Sequence, residues 1–183
     1  MLPLILKSFT CALCAVSALF FMIGAIGYSD DEDTIKNVFW MKYEEDSINL
    51  DVWYGLHSFT FSGNVYGYDG SDCSGDTCDK CESDGKTALG CLIIAAIACL
   101  VALACHGMMI MSADINAVKV PALVFTVIGF VAPLIAVGTF MGSCYASAVD
   151  DIDNGSFYWG PGSNLSIAGM FLMLFATGLT VWQ

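Results

Sequence analysis

The chain has 183 residues, of which 57% are hydrophobic and 13% are charged, and its mean hydropathy is +0.70. So few polar residues could not cover the surface of a soluble domain, which excludes that class and indicates a membrane protein. The formal net charge of −12 and the pI near 4.1 exclude a nucleic-acid-binding protein, because the chain offers no basic patch to phosphates.

Four charge-free hydrophobic runs, residues 8–29, 87–113, 120–149 and 154–183, divide the chain, and each exceeds the roughly 20 residues that cross a hydrocarbon core about 30 Å thick. The predicted transmembrane crossings are residues 4–28, 87–113, 120–144 and 163–183. The predicted fold class is therefore an all-α membrane bundle of four transmembrane helices in a single domain. Segments 29–86 and 145–162 lie on one side of the membrane, and the short link 114–119 lies on the other.

Charge sets the predicted orientation in the membrane. The insert 29–86 carries 14 acidic residues and four lysines, whereas the chain ends and the link hold only Lys7, Asp114 and Lys119. Basic residues favour the cytoplasmic side of a membrane. Both termini and the link are therefore predicted to be cytoplasmic, with both acidic segments outside a plasma membrane.

The first run has a second interpretation as a secretory signal peptide. Lys7 precedes the apolar stretch, and Ala25-Ile26-Gly27 offers small residues for cleavage. The apolar stretch is longer than the usual 7–15 residues of a signal peptide, which favours an uncleaved helix.

The insert begins with the acidic run Asp30–Asp33, which is typical of a solvated helix exit. Apolar residues then recur at every second position, which is the pattern of half-buried strands. These residues are Ile35, Phe39, Met41 and Tyr43, then Ile48, Leu50, Val52 and Tyr54, continued by Phe59 and Phe61. A further strand is predicted around Val65–Tyr68, between two turn signals. The insert is thus predicted to be an antiparallel meander of three or more strands.

Two tryptophan motifs lie in this meander, Trp40 and the run Trp53-Tyr54-Gly55-Leu56, and cysteines follow them. This arrangement between the first two of four spans resembles the superfamily of claudins, peripheral myelin protein and epithelial membrane proteins, and the protozoan amastins. The resemblance covers the four-span layout of the whole chain. It implies a claudin-like fold, with a small extracellular antiparallel sheet on the four-helix stem, and it makes Trp40, Trp53, Gly55 and Leu56 the family motif.

Two positions depart from the claudin pattern. His57 stands where that pattern has a third tryptophan, and Thr60 stands where its first paired cysteine falls. The strand-to-strand disulfide that the resemblance implies is therefore expected to be absent or relocated.

The aromatic side chains of the meander have two possible roles. Trp40, Trp53, Tyr54 and Phe59 are predicted to pack the sheet onto the helix ends and lipid headgroups, where amphipathic rings are favoured. The alternative is an exposed patch that binds a partner protein.

Four cysteines fall on the predicted outer side, namely Cys73, Cys78, Cys81 and Cys144. An even number of cysteines on an oxidising side predicts two disulfides, with three possible pairings that the sequence does not rank. Metal binding by these thiolates or the nearby aspartates is the alternative. The aspartates lack the order of a calcium loop, and extracellular thiols usually oxidise before they hold zinc.

Small residues in the apolar runs predict where helices approach one another. Ala98 and Ala102 are predicted helix contacts, and Gly138 and Gly142 form a G-x-x-x-G pattern. Internal packing of that glycine pair is favoured over a face for a neighbouring helix. Cys105 is predicted to be a small apolar residue, with acylation as the alternative. His106 is predicted to be a satisfied interfacial histidine.

The second outer segment is too short to form a domain. It carries acidic residues and then Phe157-Tyr158-Trp159, which is typical of an interfacial aromatic anchor. Asn154 begins an N-glycosylation sequon on the predicted outer side.

The sequence lacks the groupings on which an enzyme depends, since it has two histidines, no arginine and no catalytic motif. No cofactor, metal, nucleic acid or small-molecule substrate is predicted. The expected function is therefore contact within the bilayer and above it, by assembly with copies of itself in surface structure, adhesion or a junction-like lattice. An auxiliary subunit of an ion channel or other large complex is one alternative, and a cation-selective pore formed by the oligomer is another.

Overall fold

The computed structural model describes residues 2–45, 50–69, 73, 75–111, 115–150 and 156–182. Six α-helices and five strands are present in this part of the chain. The helices are α1 (Leu2–Ile26), α2 (Glu32–Asn37), α3 (Asp76–Met111), α4 (Ile115–Thr139), α5 (Ala146–Asp150) and α6 (Pro161–Trp182), with a π-helix (Phe140–Tyr145) joining α4 to α5. The strands are β1 (Met41–Glu45), β2 (Leu50–Tyr54), β3 (Ser58–Phe61), β4 (Asn64–Gly67) and β5 (Ser156–Trp159).

Four helical segments are long and apolar enough to cross a membrane, which indicates an integral membrane protein. These are Leu4–Ile26, Asp76–Met111, the continuous segment Ala117–Ala148 and Pro161–Trp182. In the bundle α3 packs beside α1 and α4, and α6 packs beside the same two helices. The helix predicted to start at 87 instead begins at Asp76, so its 36 residues extend about 54 Å, well beyond the hydrocarbon core.

The first part of the predicted meander is wrong, because residues 32–37 form helix α2 and not a strand. Asp31 caps this helix, accepting hydrogen bonds from Thr34 N at 2.9 Å and Thr34 Oγ1 at 2.7 Å. These hydrogen bonds hold the pKa of Asp31 below its usual value. Acidic residues in the first turn also suit the positive end of the helix dipole. The local cap therefore overrides the alternation of Ile35 with its neighbours.

The sheet is antiparallel throughout, with the strand order β4-β3-β2-β1-β5. Ser62 and Gly63 join β3 to β4 with positive φ angles of 50° and 78°, as the tightest hairpin turns require. Strand β5 comes from segment 145–162, for which an aromatic anchor and no strand was predicted. It pairs with β1 over Met41–Glu44, so segments 29–86 and 145–162 build one sheet.

The two faces of the sheet differ in chemistry. One face carries aromatic rings in contact, with Tyr54, Phe59 and Tyr66 stacked in sequence across three strands. The opposite face carries Lys42 and Trp53 and is covered in part by α2. The aromatic face is the one that packs against the hydrophobic core of the bundle.

Small residues fill the interior of the bundle. Ala98 and Ala102 are buried there. A Cβ on Gly129 would meet the Met173 side chain at 2.8 Å, and a Cβ on Gly169 would meet Phe21 at 2.7 Å. The helices therefore approach closely at alanine and glycine, as is usual in membranes.

The glycine pair Gly138 and Gly142 does not serve internal packing, so that prediction is wrong. A Cβ on either residue would meet nothing within 4 Å, and both residues are exposed on the outside of the bundle. The reason is that α4 and the π-helix turn their buried side, with Ala132, Ala136 and Phe140, toward the core, which leaves the glycines facing outward.

Cys105 and His106, near the end of α3 at Met111, are more buried than a position at the membrane interface implies. Cys105 packs with Met109 and Ala122 and is only 5% exposed, which disfavours acylation. His106 is fully buried, with its Nε2 atom 3.2 Å from Thr180 Oγ1. That hydroxyl also lies 2.7 Å from Ala176 O, to which it donates, and the imidazole Nδ1 has no partner among the described residues.

Candidate functional site

The residues of the tryptophan motif meet where the sheet joins the helices, and Trp40 is the centre of this junction. It precedes β1 and is fully buried. Its indole Nε1–H donates to Gly24 O near the end of α1 at 3.0 Å. Its backbone N–H donates to Tyr54 O at 2.8 Å, and its carbonyl accepts from Gly160 N at 2.9 Å. One residue thus links α1, β2 and the start of α6 through hydrogen bonds.

The indole ring is enclosed by glycines and one aromatic ring. A Cβ on Gly27 would lie 2.9 Å from Trp40 Cδ1, and a Cβ on Gly162 would lie 2.8 Å from the same atom. Phe140 packs edge-on against the indole, with ring centroids 5.3 Å apart. The absence of side chains on the two glycines is what leaves room for the tryptophan.

Gly55 and Leu56 bring a loop of the sheet against the backbone of two helices. The backbone N–H of Leu56 donates to Gly27 O at 2.7 Å, and a Cβ on Gly55 would lie 2.6 Å from that oxygen. Leu56 is fully buried in the core. Its carbonyl lies so close to Gly85 of α3 that any Cβ there would overlap it.

The second outer segment completes the junction. Gly162 N donates to Phe39 O at 3.1 Å, and Ser163 Oγ donates to Trp40 O at 2.9 Å. A Cβ on Gly160 would overlap the Phe39 carbonyl. The first turn of α6 is therefore fixed to the residues that precede β1.

Trp53 is not part of this junction, although it belongs to the same sequence motif. It lies on the opposite face of the sheet, where the Lys36 and Lys42 ammonium groups stand 5.2 Å and 5.1 Å from its ring centroid. Lys42 also pairs with Asp51 at 3.2 Å. The prediction that Trp53 packs the sheet onto helix ends and lipid is wrong, because strand alternation turns it away from Tyr54 and the bundle.

Tyrosines extend the junction across the aromatic face. Tyr68 Oη donates to Gly55 O at 3.1 Å, and its ring stacks near Phe59 at a centroid distance of 5.8 Å. Burial raises the pKa of Tyr54 to about 12 and raises the pKa of Tyr68 well above its usual value. Both side chains therefore stay uncharged and pack as part of the core.

The two positions that depart from the claudin pattern lie beside this junction. His57 stacks on Tyr28 at a centroid distance of 4.5 Å, and its Nε2 lies 3.3 Å from Asp30 Oδ1. Thr60 is fully buried, and its Oγ1 has no hydrogen-bond partner among the described residues. The sheet is thus held without the strand-to-strand disulfide of that pattern.

The cysteines form two pairs at disulfide distance, Cys73–Cys78 and Cys81–Cys144. The first closes a short loop at the start of α3. The second joins the outer part of α3 to the π-helix after α4 and is buried. The disulfides therefore brace the helical support of the sheet and not the sheet itself.

The surface above the membrane is strongly acidic. No group of three His, Cys, Asp or Glu side chains that could hold a metal ion occurs in the part of the chain that the structure describes. The glycosylation candidate Asn154 lies outside the described residues.

The sequence did not identify the glycines that receive the motif. Gly24 and Gly27 end the first apolar run, and Gly160 and Gly162 flank Pro161 before the last one. Glycines concentrated at the ends of predicted spans were the available signal, because a residue without a side chain lets backbone segments approach closely.

The fold and this junction define a class, the four-span membrane proteins that carry an extramembrane antiparallel sheet fixed to the helix ends. Comparison of the chain with protein-family models and with curated proteins finds no match. The class therefore rests on the architecture alone.

We expect Gly85→Ala to separate the sheet from α3, because the added methyl group would overlap the Leu56 carbonyl. Overpacking of this kind costs about 1–3 kcal/mol of unfolding free energy. Gly107→Ala in the same helix is the matched control, since a Cβ there meets nothing within 4 Å. Thermal unfolding in detergent should show a lower midpoint for Gly85→Ala only. Equal midpoints for the two variants would contradict the close approach at Gly85.

Proposed function

We propose that this protein is a non-catalytic four-span membrane protein of the claudin-like type that acts by contact with its neighbours. The supporting observation is the junction at Trp40, Gly55 and Leu56, which ties the sheet to three of the four spans. The sheet is thus tied to the helix ends, and a contact made above the membrane is proposed to set the position of the helices within it. Surface assembly, adhesion and junction-like structure are functions of this kind.

A copy of the same chain is the proposed neighbour. The open glycines Gly138 and Gly142 leave the outer side of α4 and the π-helix free of internal contacts, and small-xxx-small faces let membrane helices approach closely. The outer segments are proposed to lie outside a plasma membrane, with the termini and the 114–119 link in the cytoplasm and Asn154 open to glycosylation. An assembly whose acidic surfaces line a gap would favour cations.

The same open helix face also fits a subunit of a larger membrane complex, which is the second candidate function. A face of this kind does not distinguish a second copy from a foreign helix, because both present apolar side chains.

Extraction in mild detergent followed by native sizing and crosslinking tests the assembly. We expect a homo-oligomer that Gly138→Leu and Gly142→Leu convert to smaller species, whereas Gly178→Leu, at an equally open glycine of α6, leaves it unchanged. A constant ratio to a larger polypeptide would support the auxiliary subunit instead. A monomer from native membranes would contradict both functions, and conductance of the purified protein in liposomes would support the pore.

A further inference from the structure

An apolar groove opens between α1 and α3 in the half of the membrane nearest the sheet. Its volume is about 220 Å³, and its walls include Met22 and Ala25 of α1 and Ile93, Ile97 and Leu100 of α3. Ala25 stands one residue before the end of α1. The groove therefore faces the upper acyl region of the sheet-side leaflet.

A lysine stands directly above this groove on the same side of α3. Lys86 precedes Ile93, Ile97 and Leu100 by 7, 11 and 14 residues, which are spacings that place residues on one face of a helix. It lies about 10 Å above Ile93 along the helix axis. Its side chain is 54% exposed, so the ammonium can meet a ligand.

Gly90 connects the lysine to the groove. It lies on the same helix face, between Lys86 and Ile93, and a Cβ there would meet nothing within 4 Å. The surface therefore runs without obstruction from a cation, across a notch, into an apolar groove.

The other charges around Lys86 indicate which headgroup fits. Glu82, one turn farther from the membrane, forms an ion pair with Lys86. The Asp69 carboxylate also interacts electrostatically with the Lys86 ammonium. From the outside inward the order is thus carboxylate, ammonium and apolar groove. A zwitterionic phospholipid presents the complementary order, with its own ammonium outermost, then its phosphate, then its acyl chains.

We propose that this strip binds one zwitterionic phospholipid of the sheet-side leaflet. Its phosphate lies at Lys86, its ammonium lies at Glu82, and one acyl chain enters the groove beneath Gly90. Lysine binds phosphate as a point charge and extends toward the headgroup level of a membrane. Anionic lipids are disfavoured, because Glu82 and Asp69 repel any additional negative charge. The site does not depend on the proposed function.

Lipid binding to the full chain in detergent, measured by native mass spectrometry with added phosphatidylcholine or phosphatidylglycerol, tests the site. We expect Lys86→Gln to weaken phosphatidylcholine binding by roughly tenfold, as the loss of one charged contact does. Gly90→Leu should weaken it to a similar extent by blocking the notch. Lys80→Gln and Gly107→Leu, on the same helix but away from the strip, are the matched controls and should bind as the wild type does.

Thermal unfolding of each variant verifies that the fold is intact. Lys86 and Gly90 are both exposed, so their substitution should leave the core unchanged. Glu82→Gln should remove the preference for phosphatidylcholine over phosphatidylglycerol. Equal effects of Lys86→Gln and Lys80→Gln would overturn the proposal, as would phosphatidylglycerol binding as tight as that of phosphatidylcholine. Tighter phosphatidylcholine binding to Glu82→Gln would overturn the contact between Glu82 and the lipid ammonium.

Discussion

Trp40→Ala is expected to unfold the protein at a markedly lower temperature than the wild type. The side chain is fully buried between α1, α6 and the π-helix, and it satisfies the Gly24 carbonyl at 3.0 Å. Truncation of a buried tryptophan costs about 3–5 kcal/mol. For a chain of this length, that loss lowers the unfolding midpoint by on the order of 10 °C.

The free cysteines provide the measurement. Cys14 and Cys99 are fully buried, so a thiol-reactive fluorophore reports their exposure during a thermal ramp in detergent. Trp182→Ala is the matched control, because Trp182 is 75% exposed at the end of α6. The unfolding midpoint of Trp40→Phe should lie between those of Trp40→Ala and Trp182→Ala. This variant keeps an aromatic ring but loses the indole hydrogen bond, which is worth about 1 kcal/mol. The same midpoint for Trp40→Ala and Trp182→Ala would disprove the central role of Trp40.

Removal of the Cys81–Cys144 disulfide is expected to destabilise the protein more than removal of Cys73–Cys78. The Cys81–Cys144 disulfide closes a loop with a sequence separation of 63, whereas the Cys73–Cys78 disulfide closes a loop with a separation of 5. Chain-entropy estimates give roughly 4 kcal/mol for the longer loop and roughly 2 kcal/mol for the shorter one. The longer bridge also joins two spans at the level where the sheet is supported.

The double variants Cys81→Ser/Cys144→Ser and Cys73→Ser/Cys78→Ser avoid new free thiols, and Cys91→Ser serves as a control at a free cysteine. Their unfolding midpoints should rank in the order of the two loop lengths. Alkylation of the denatured wild type should add five groups without reductant and nine with it. Nine groups without reductant would show that neither disulfide forms, and an inverted order of midpoints would contradict the loop argument.

The parts of the fold that depend on composition and local pattern were predictable from the sequence. Four apolar runs of membrane length predict the four long helices, because the hydrocarbon core demands that length whatever the neighbours are. Alternation in Leu50–Tyr54 likewise predicts β2. The helix after Asp31 was predictable too, since an aspartate cap and acidic first turn precede Ile35, but the alternation of apolar residues in the same stretch is also typical of a strand.

The parts that depend on pairing between distant segments were not predictable. Strand β5 is four residues long and becomes a strand only because the free edge of β1 meets it. The partner of Cys144 is Cys81 because α3 and α4 pack side by side at that level, which spacing alone does not show. The Trp40 pocket was not predictable for the same reason, because the two glycines that enclose the indole, Gly27 and Gly162, are 135 residues apart in the sequence. The direction in which Gly138 faces also follows from packing and not from its motif.

The order of strands in the sheet has a consequence for biosynthesis. Strands β1 to β4 leave the ribosome before α3, whereas β5 and the glycines that hold Trp40 from α6 are made only after the third span. A nascent chain therefore carries an unpaired β1 edge and an uncovered Trp40 until about residue 163 has emerged. Chains that stall or are truncated before that point would present both features to the quality-control machinery of the membrane.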